Sequence, residues 1–194
     1  MVIPVAIDRK KMILSAAERT FASFGYKATT MDLVARLANV GKGTIYTFFK
    51  NKEELFNEIM NQFIKRIKAT ATNAIHDDDH FFVNLHRALY SMLELRKEHQ
   101  LTIKLTQELR EIGTAQAKQA LANIEDAILG FMEEFISHAE QKQEIKPCDP
   151  KVTAFVILHL YISLVFEWEQ RHQPLSKEEI AHLFELYLVQ GLKK

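Results

Sequence analysis

Residues 29–55, TTMDLVARLANVGKGTIYTFFKNKEEL, read as two short helices and the start of a third. If the first begins at Met31, Ala35 falls where the two helices cross, Asn39 falls in the turn, and Ile45 is buried from the second. A side chain larger than alanine at 35 would force the helices apart. The turn must reach positive φ, which Asn tolerates. Val34, Ala38, Val40, Ile45 and Phe48 then close a small core beneath the crossing. Five or six positions fixed in this way specify a helix-turn-helix.

Working outward, the flanks read as further helices. Ile13, Ala17, Thr20, Phe21 and Phe24 lie at helical spacing in a helix from about Asp8 to Phe24, with Gly25 as its stop. Thr30 is the expected N-cap of the second helix, and the third runs from Gly41 or Lys42 to Lys50. Asn51 and Glu54 read as a capping box that opens a fourth helix, whose stripe is Phe56, Ile59, Met60, Phe63, Ile64 and Ile67. Beyond it the last Asp of His76-Asp-Asp-Asp-His80 is the expected cap of a helix to about Glu98. Helices over 101–112 and 115–143 follow. After Lys146-Pro-Cys-Asp-Pro150 comes a helix to about Arg171 that is apolar on most sides and needs covering all round. Ser176 and Glu179 form a second capping box, followed by the stripe Ile180, Leu183, Phe184, Tyr187 and Leu188.

The expected fold is therefore all-α: an N-terminal three-helix head with a helix-turn-helix, linked by a long fourth helix to a helical body. The head spans 1–55, helix four (52–74) connects, and the body spans 75–194. A chain of 194 residues with 47% hydrophobic residues, six Gly and four Pro suits such a helical, globular design. MVIPVAI is broken by Pro4 and runs into charges, so no signal core is expected, and no unbroken apolar run of about 18 residues suggests a spanning helix. The expected compartment is the cytoplasm, with no membrane partner. The single cysteine, Cys148, excludes an internal disulfide framework, and between Pro147 and Asp149 it is expected on the surface and not as a redox switch.

A net charge of zero hides an asymmetry. Through Lys52 there are nine Lys or Arg against three acids, a net +6, so the remainder carries −6. A basic head on an acidic body suits a protein whose head meets phosphate.

The run from Phe21-Ala-x-x-Gly25-Tyr26 through Thr29-Thr30 to Gly43-Thr-Ile-Tyr46-x-Phe-Phe49-Lys-x-Lys52-Glu-Glu-Leu55 resembles the DNA-binding head of the TetR family of one-component transcriptional regulators. The motif covers roughly residues 10–56. Over the rest, the likeness lies in length, helix count and the apolar C-terminal pair of helices. The resemblance implies a dimeric repressor on double-stranded operator DNA, with a body that varies with its effector and signals through helix four. Here Gly41 stands in place of a Ser-like cap and Phe48 in place of a second tyrosine.

The residues give their own account of DNA binding. A helix entering the major groove needs short or polar outward side chains, and Lys42, Gly43, Thr44 and Thr47 supply them while Ile45, Phe48 and Phe49 face inward. Tyr46 is expected on a phosphate. Thr30 and Lys52 stand at helix starts, where backbone amides add to phosphate binding. Arg9, Lys10 and Lys11 read as a flexible basic arm. The competing reading is a helical carrier or adaptor whose head binds protein.

Such heads act in pairs on half-sites about 34–36 Å apart or multiples of it, which calls for a dimer surface. The last two helices offer it through Phe155, Ile162, Phe166, Ile180, Leu183, Phe184, Tyr187 and Leu188, although both helices could simply be core. Phe82, His86, Tyr90, Phe131, Phe135, His159 and Trp168 are the candidate lining for a small hydrophobic or amphipathic effector. His86 and His159 could equally be hydrogen-bonded core histidines. The cluster at 76–80 carries metal-capable groups, but five consecutive loop residues cannot converge on one ion, so neither metal nor cofactor is expected. No nucleophile elbow, phosphate loop or paired carboxylates argue for an enzyme.

Overall fold

The computed structural model describes residues 8–95 and 100–192. The leader reading of 1–7 and the expected helix end near Glu98 lie outside these residues. Among the described residues all regular structure is helical. The chain divides into two compact units, Met1–Phe63 with Glu98–Ala122 and Ile64–Lys97 with Asn123–Lys194. This line differs from the head and body boundary read at 74/75, because residues 100–122 fold with the N-terminal helices.

In the first unit, α1 (Arg9–Ala28) starts at Asp8, whose carboxylate accepts from the Lys11 N–H at 3.0 Å. Its buried face is Ile13, Ala16, Ala17, Thr20 and Phe21. At Gly25 the backbone turns to φ 78°, ψ 180°, and one more turn of helix follows. Helix α2 (Met31–Leu37) is capped by Thr30, whose hydroxyl oxygen accepts from the Leu33 N–H at 3.2 Å. Asn39 takes φ 53° in the turn, and α3 (Lys42–Phe48) follows without a side-chain cap at Gly41. Ala35 and Ile45 are buried at the crossing. Phe48, expected inside, is 38% exposed. Phe49, one step on, is 4% exposed and fills the core.

Helix α4 (Lys52–Ala74) starts with the Asn51 side chain accepting from Glu54 N–H at 2.8 Å. The Glu54 carboxylate reaches back one residue further than a capping box requires, to Lys50 N–H. Leu55, Phe56, Ile59, Met60 and Phe63 close the core of this unit, with Phe56 edge-on to both Phe21 and Tyr26 at 4.9 Å. Burial of one such aromatic contributes roughly 1.5–3 kcal/mol. Helix α6 (Gln100–Glu111) packs along α1 through Leu101 and Leu105.

The second unit holds the end of α4, α5 (Phe81–Glu94), the later part of α7 (Ala115–Gln141), α8 (Pro150–Ile162), α9 (Lys177–Phe184) and α10 (Gln190–Leu192). His80, not the last Asp, caps α5. Asp79 is drawn away by an ion pair with Arg87, which also donates to the Ala74 carbonyl at 3.0 Å. Buried Asn84 ties the same turn down, accepting from His76 N–H and donating to the His76 and Asp79 carbonyls. Asp149 caps α8 with Pro150 in the first turn, and Ser176 and Glu179 complete the capping box of α9. Both helices widen beyond their ends into π-helical turns, Ser163–Glu167 and Glu185–Val189.

The core here includes Phe81, Leu89, Ile136, Ile145, Ala154, Ile157, Val165, Ile180, Phe184 and Leu188. Residues 150–170, taken as a window, are apolar and long enough to cross a bilayer. Ala154, Ile157, Leu158 and Val165 instead face the core, while Val152, Phe155 and Val156 are 58, 48 and 45% exposed. The covering expected all round α8 is thus missing on one side of this single chain. Cys148, expected on the surface, is half-buried against the core.

Candidate functional site

Helix α3 presents Gly43, Tyr46 and Thr47 to solvent and half-buries Thr44, while Ile45 anchors it. The Thr47 hydroxyl donates to the Thr44 carbonyl at 2.7 Å. A Cβ built on Gly43 would meet no atom within 4 Å. Glycine is therefore not demanded by the packing of this chain, and in a helix it costs about 1 kcal/mol against alanine. Its benefit is a bare stretch of backbone that another molecule can approach closely.

The cations are more engaged than the sequence suggests. Lys42 Nζ lies 2.9 Å from Asp32, whose hydrogen bond and charge raise the lysine pKa. Lys52, read as a phosphate ligand, donates to the Tyr26 carbonyl at 2.9 Å and the Lys27 carbonyl at 3.4 Å, with its Nζ 4.2 Å above the Tyr26 ring. Desolvation lowers its pKa. In this position it caps the carbonyl end of α1, where a cation is favoured. Thr30 spends its oxygen as a cap acceptor and keeps a hydroxyl proton to donate. Arg9, Lys10 and Lys11 stand in the first turn of α1, so the expected flexible arm is helical.

Glu108 was not read from the sequence. It is 4% exposed on α6, accepts from Lys27 N–H at 3.1 Å and from the Thr114 hydroxyl, and occupies the space where a Cβ of residue 25 would lie. The Tyr26–Lys27 segment just before the helix-turn-helix is therefore held by Glu108 on an N–H and by Lys52 on two carbonyls.

In the second unit, α4, α5, α7, α8 and α9 wall an apolar cavity that opens to solvent. Its lining is Ile67, Lys68, Ala71, Ile75, Leu85, Ala88, Leu89, Met92, Ile128, Phe131, Met132, Phe135, Ile157, Leu158, Tyr161 and Phe184. Lys68 is the one charged residue among them, and the Tyr161 hydroxyl is turned to the Met92 carbonyl at 3.4 Å. Such a site takes a hydrocarbon and offers no buried partner to a head group.

Of the expected lining, only Phe131 and Phe135 belong to this cavity. Phe82 packs edge-on against Phe81, and exposed His86 lies on Tyr90 at 4.6 Å. His159 stacks on Phe155 at 3.9 Å, and Trp168 on His172 at 4.1 Å, with the indole donating to the Gln173 carbonyl. Of the expected dimer residues, Phe155 and Tyr187 are exposed and Ile162, Phe166 and Leu183 half-buried. Ile180, Phe184 and Leu188 are corrected to core, at 0, 4 and 7% exposure.

An N-terminal helix-turn-helix joined to an all-helical body defines the class of helical DNA-binding transcriptional regulators. Residues 13–59 match the profile of bacterial regulatory proteins of the tetR family, and residues 84–192 match the tetracyclin repressor-like C-terminal domain. The chain is 56% identical over 188 residues to the HTH-type transcriptional regulator YhgD of Bacillus subtilis, covering 97% of this chain and 98% of that protein. It is 28% identical over 191 residues to the fatty acid metabolism regulator protein of the same species, covering 93% of each. The structure of the transcriptional regulator FadR from Bacillus subtilis in complex with stearoyl-CoA aligns with TM-score 0.67 at 26% identity, covering 90% of this chain and 96% of that one. The chain belongs to the TetR family. It is a transcriptional regulator related to fatty acid metabolism regulators, not an enzyme, and regulators of this family bind DNA as dimers.

Proposed function

We propose that this protein is a cytoplasmic repressor that binds a palindromic operator as a homodimer and leaves it when a long-chain acyl compound enters the body. The observation that carries the effector class is the cavity itself, apolar over nearly its whole lining and open at a mouth. A relative of similar length binds stearoyl-CoA, a molecule with an apolar tail and a highly polar head. The tail suits the cavity, and the head must stay at the mouth because no buried polar group awaits it.

The homodimer face is read on the uncovered side of α8 and the extension of α9. There Val152, Phe155, Val156, Leu186 and Tyr187 are 45–61% exposed, with Ile162, Phe166 and Leu183 half-buried. Helix α4 is the proposed route of signalling, since Ile67 and Ala71 line the cavity and Phe56 of the same helix packs on Phe21 and Tyr26 of α1 in the head. A shift of that helix on ligand entry changes the separation of the two heads and takes them out of register with the half-sites.

The test is a band-shift assay on duplexes enriched from a random library. Affinity should fall steeply with salt, because each neutralised phosphate releases counterions. Thr44→Ala and Tyr46→Ala should each weaken binding. Unchanged affinity and specificity in both would remove α3 as the reader. A flat salt dependence would favour a protein-binding head instead.

A further inference from the structure

We propose that the reading helix recognises thymine, with the γ-methyl of Thr47 and the ring of Phe48 packed against thymine 5-methyl groups in the major groove. The inference rests on the DNA-binding role of α3 given above.

Four observations lead to it. Helix α3, KGTIYTF, contains no Arg, Asn, Gln, Asp or Glu, so it lacks the side chains that read adenine or cytosine edges by paired or acceptor hydrogen bonds, and Lys42 is its one guanine-reading cation. Lys42 stands at the start of the helix and is paired with Asp32 at 2.9 Å on the surface, away from Thr47 and Phe48 at its other end. The Thr47 hydroxyl is turned back onto the Thr44 carbonyl, which leaves the methyl group as the outward part of that side chain. Phe48 keeps 38% of its surface exposed while Phe49 beside it is buried at 4%, which leaves one apolar ring on the outside of the helix.

Gly43 completes the surface. On a helix of 3.6 residues per turn it lies one turn from Thr47 on the side opposite buried Ile45. With no Cβ there, the helix backbone can sit close to the base edges, within reach of short groups such as a threonine methyl. Thymine is the base that presents a methyl in the major groove, and threonine methyl and phenylalanine are its apolar partners.

The experiment uses the full-length protein and a random duplex library. The enriched half-site is then remade with each thymine replaced singly by uracil, which deletes only the 5-methyl group. At least one replacement per half-site should weaken binding about fourfold, the equivalent of roughly 0.8 kcal/mol for one buried methyl-sized group. That penalty should vanish in Thr47→Ser, which keeps the hydroxyl bond and loses the methyl, or in Phe48→Ala. The uracil scan on the unaltered protein involves no substitution, so it stands whether or not Phe48→Ala folds. The proposal is overturned if every uracil duplex binds within about twofold of its parent, if the penalty persists in full in both variants, or if the half-site carries no thymine. Failure to enrich any sequence is a different result, which sinks the DNA-binding reading and this proposal with it.

Discussion

Replacing Gly25 by alanine tests how the head is held. The residue sits at φ 78°, ψ 180°, a region open essentially to glycine alone, so alanine there costs about 1–3 kcal/mol in backbone strain. The new Cβ would also lie 2.3 Å from Glu108 Oε2. The buried carboxylate must move and give up the Lys27 N–H, and a hydrogen bond to a charged group is worth roughly 1.5–3 kcal/mol. Together the loss is about 2.5–6 kcal/mol, a large part of a typical stability of roughly 5–15 kcal/mol. Urea unfolding followed by circular dichroism measures it. In a Glu108→Ala background the obstacle is gone and only the backbone strain remains, so Gly25→Ala should cost about 1–3 kcal/mol there. A cost under about 1 kcal/mol in the parent, or the same cost in both backgrounds, would refute the reasoning.

Four further outcomes are expected. Tyr187→Asp, on a side chain 61% exposed, should convert a dimer to a folded monomer by light scattering, because a charge on an apolar self-contact is unpaired twice in a symmetric interface. Ala88→Trp should fill the cavity and weaken stearoyl-CoA binding by more than about tenfold in calorimetry, with DNA affinity of the unliganded protein kept. Lys52→Met should lower stability by about 1 kcal/mol and leave the salt slope of DNA binding unchanged, since its ammonium is occupied by Tyr26 and Lys27 carbonyls. Glu179 has its pKa lowered from 4.5 by hydrogen bonds from the Ser176 backbone and side chain. Its contribution is present above that ordinary value and lost as pH falls through the lower folded value, so Glu179→Gln should flatten the acid limb of the stability curve.

The helix-turn-helix was legible because its constraints are local. A small residue at 35, a turn residue at 39 that tolerates φ 53°, and the Thr30 and Asn51 caps are all fixed by neighbours three to five positions away. Phe48 escaped because its place on α3 borders both the core and solvent, and periodicity alone favours the core. Glu108 escaped for a different reason: its partner, Lys27, is 81 residues away, and nothing in the spacing of α6 announces a contact with α1.

In the body, capping boxes and breaks were readable, but which apolar stripe faced which was not. The stripe of α9 at 180, 184 and 188 looked like a surface and is core. The outward residues Leu186 and Tyr187 fall in the π-helical turn, where the register departs from the regular spacing used to read the face. The histidines and Trp168 looked like lining because polar tips on apolar stripes attract that reading. In fact the cavity collects aliphatic residues, methionines and four aromatic rings from five helices, a convergence that only the packing reveals.

The central claim is that an acyl compound in the body controls the head. Fluorescence anisotropy of a labelled, enriched duplex bound to the full-length dimer, titrated with stearoyl-CoA, tests it most directly. Release of the duplex, with DNA affinity lowered by about tenfold or more at saturating ligand, is the predicted result. DNA affinity that stays constant while stearoyl-CoA binds, or no binding of stearoyl-CoA at all, would contradict the account.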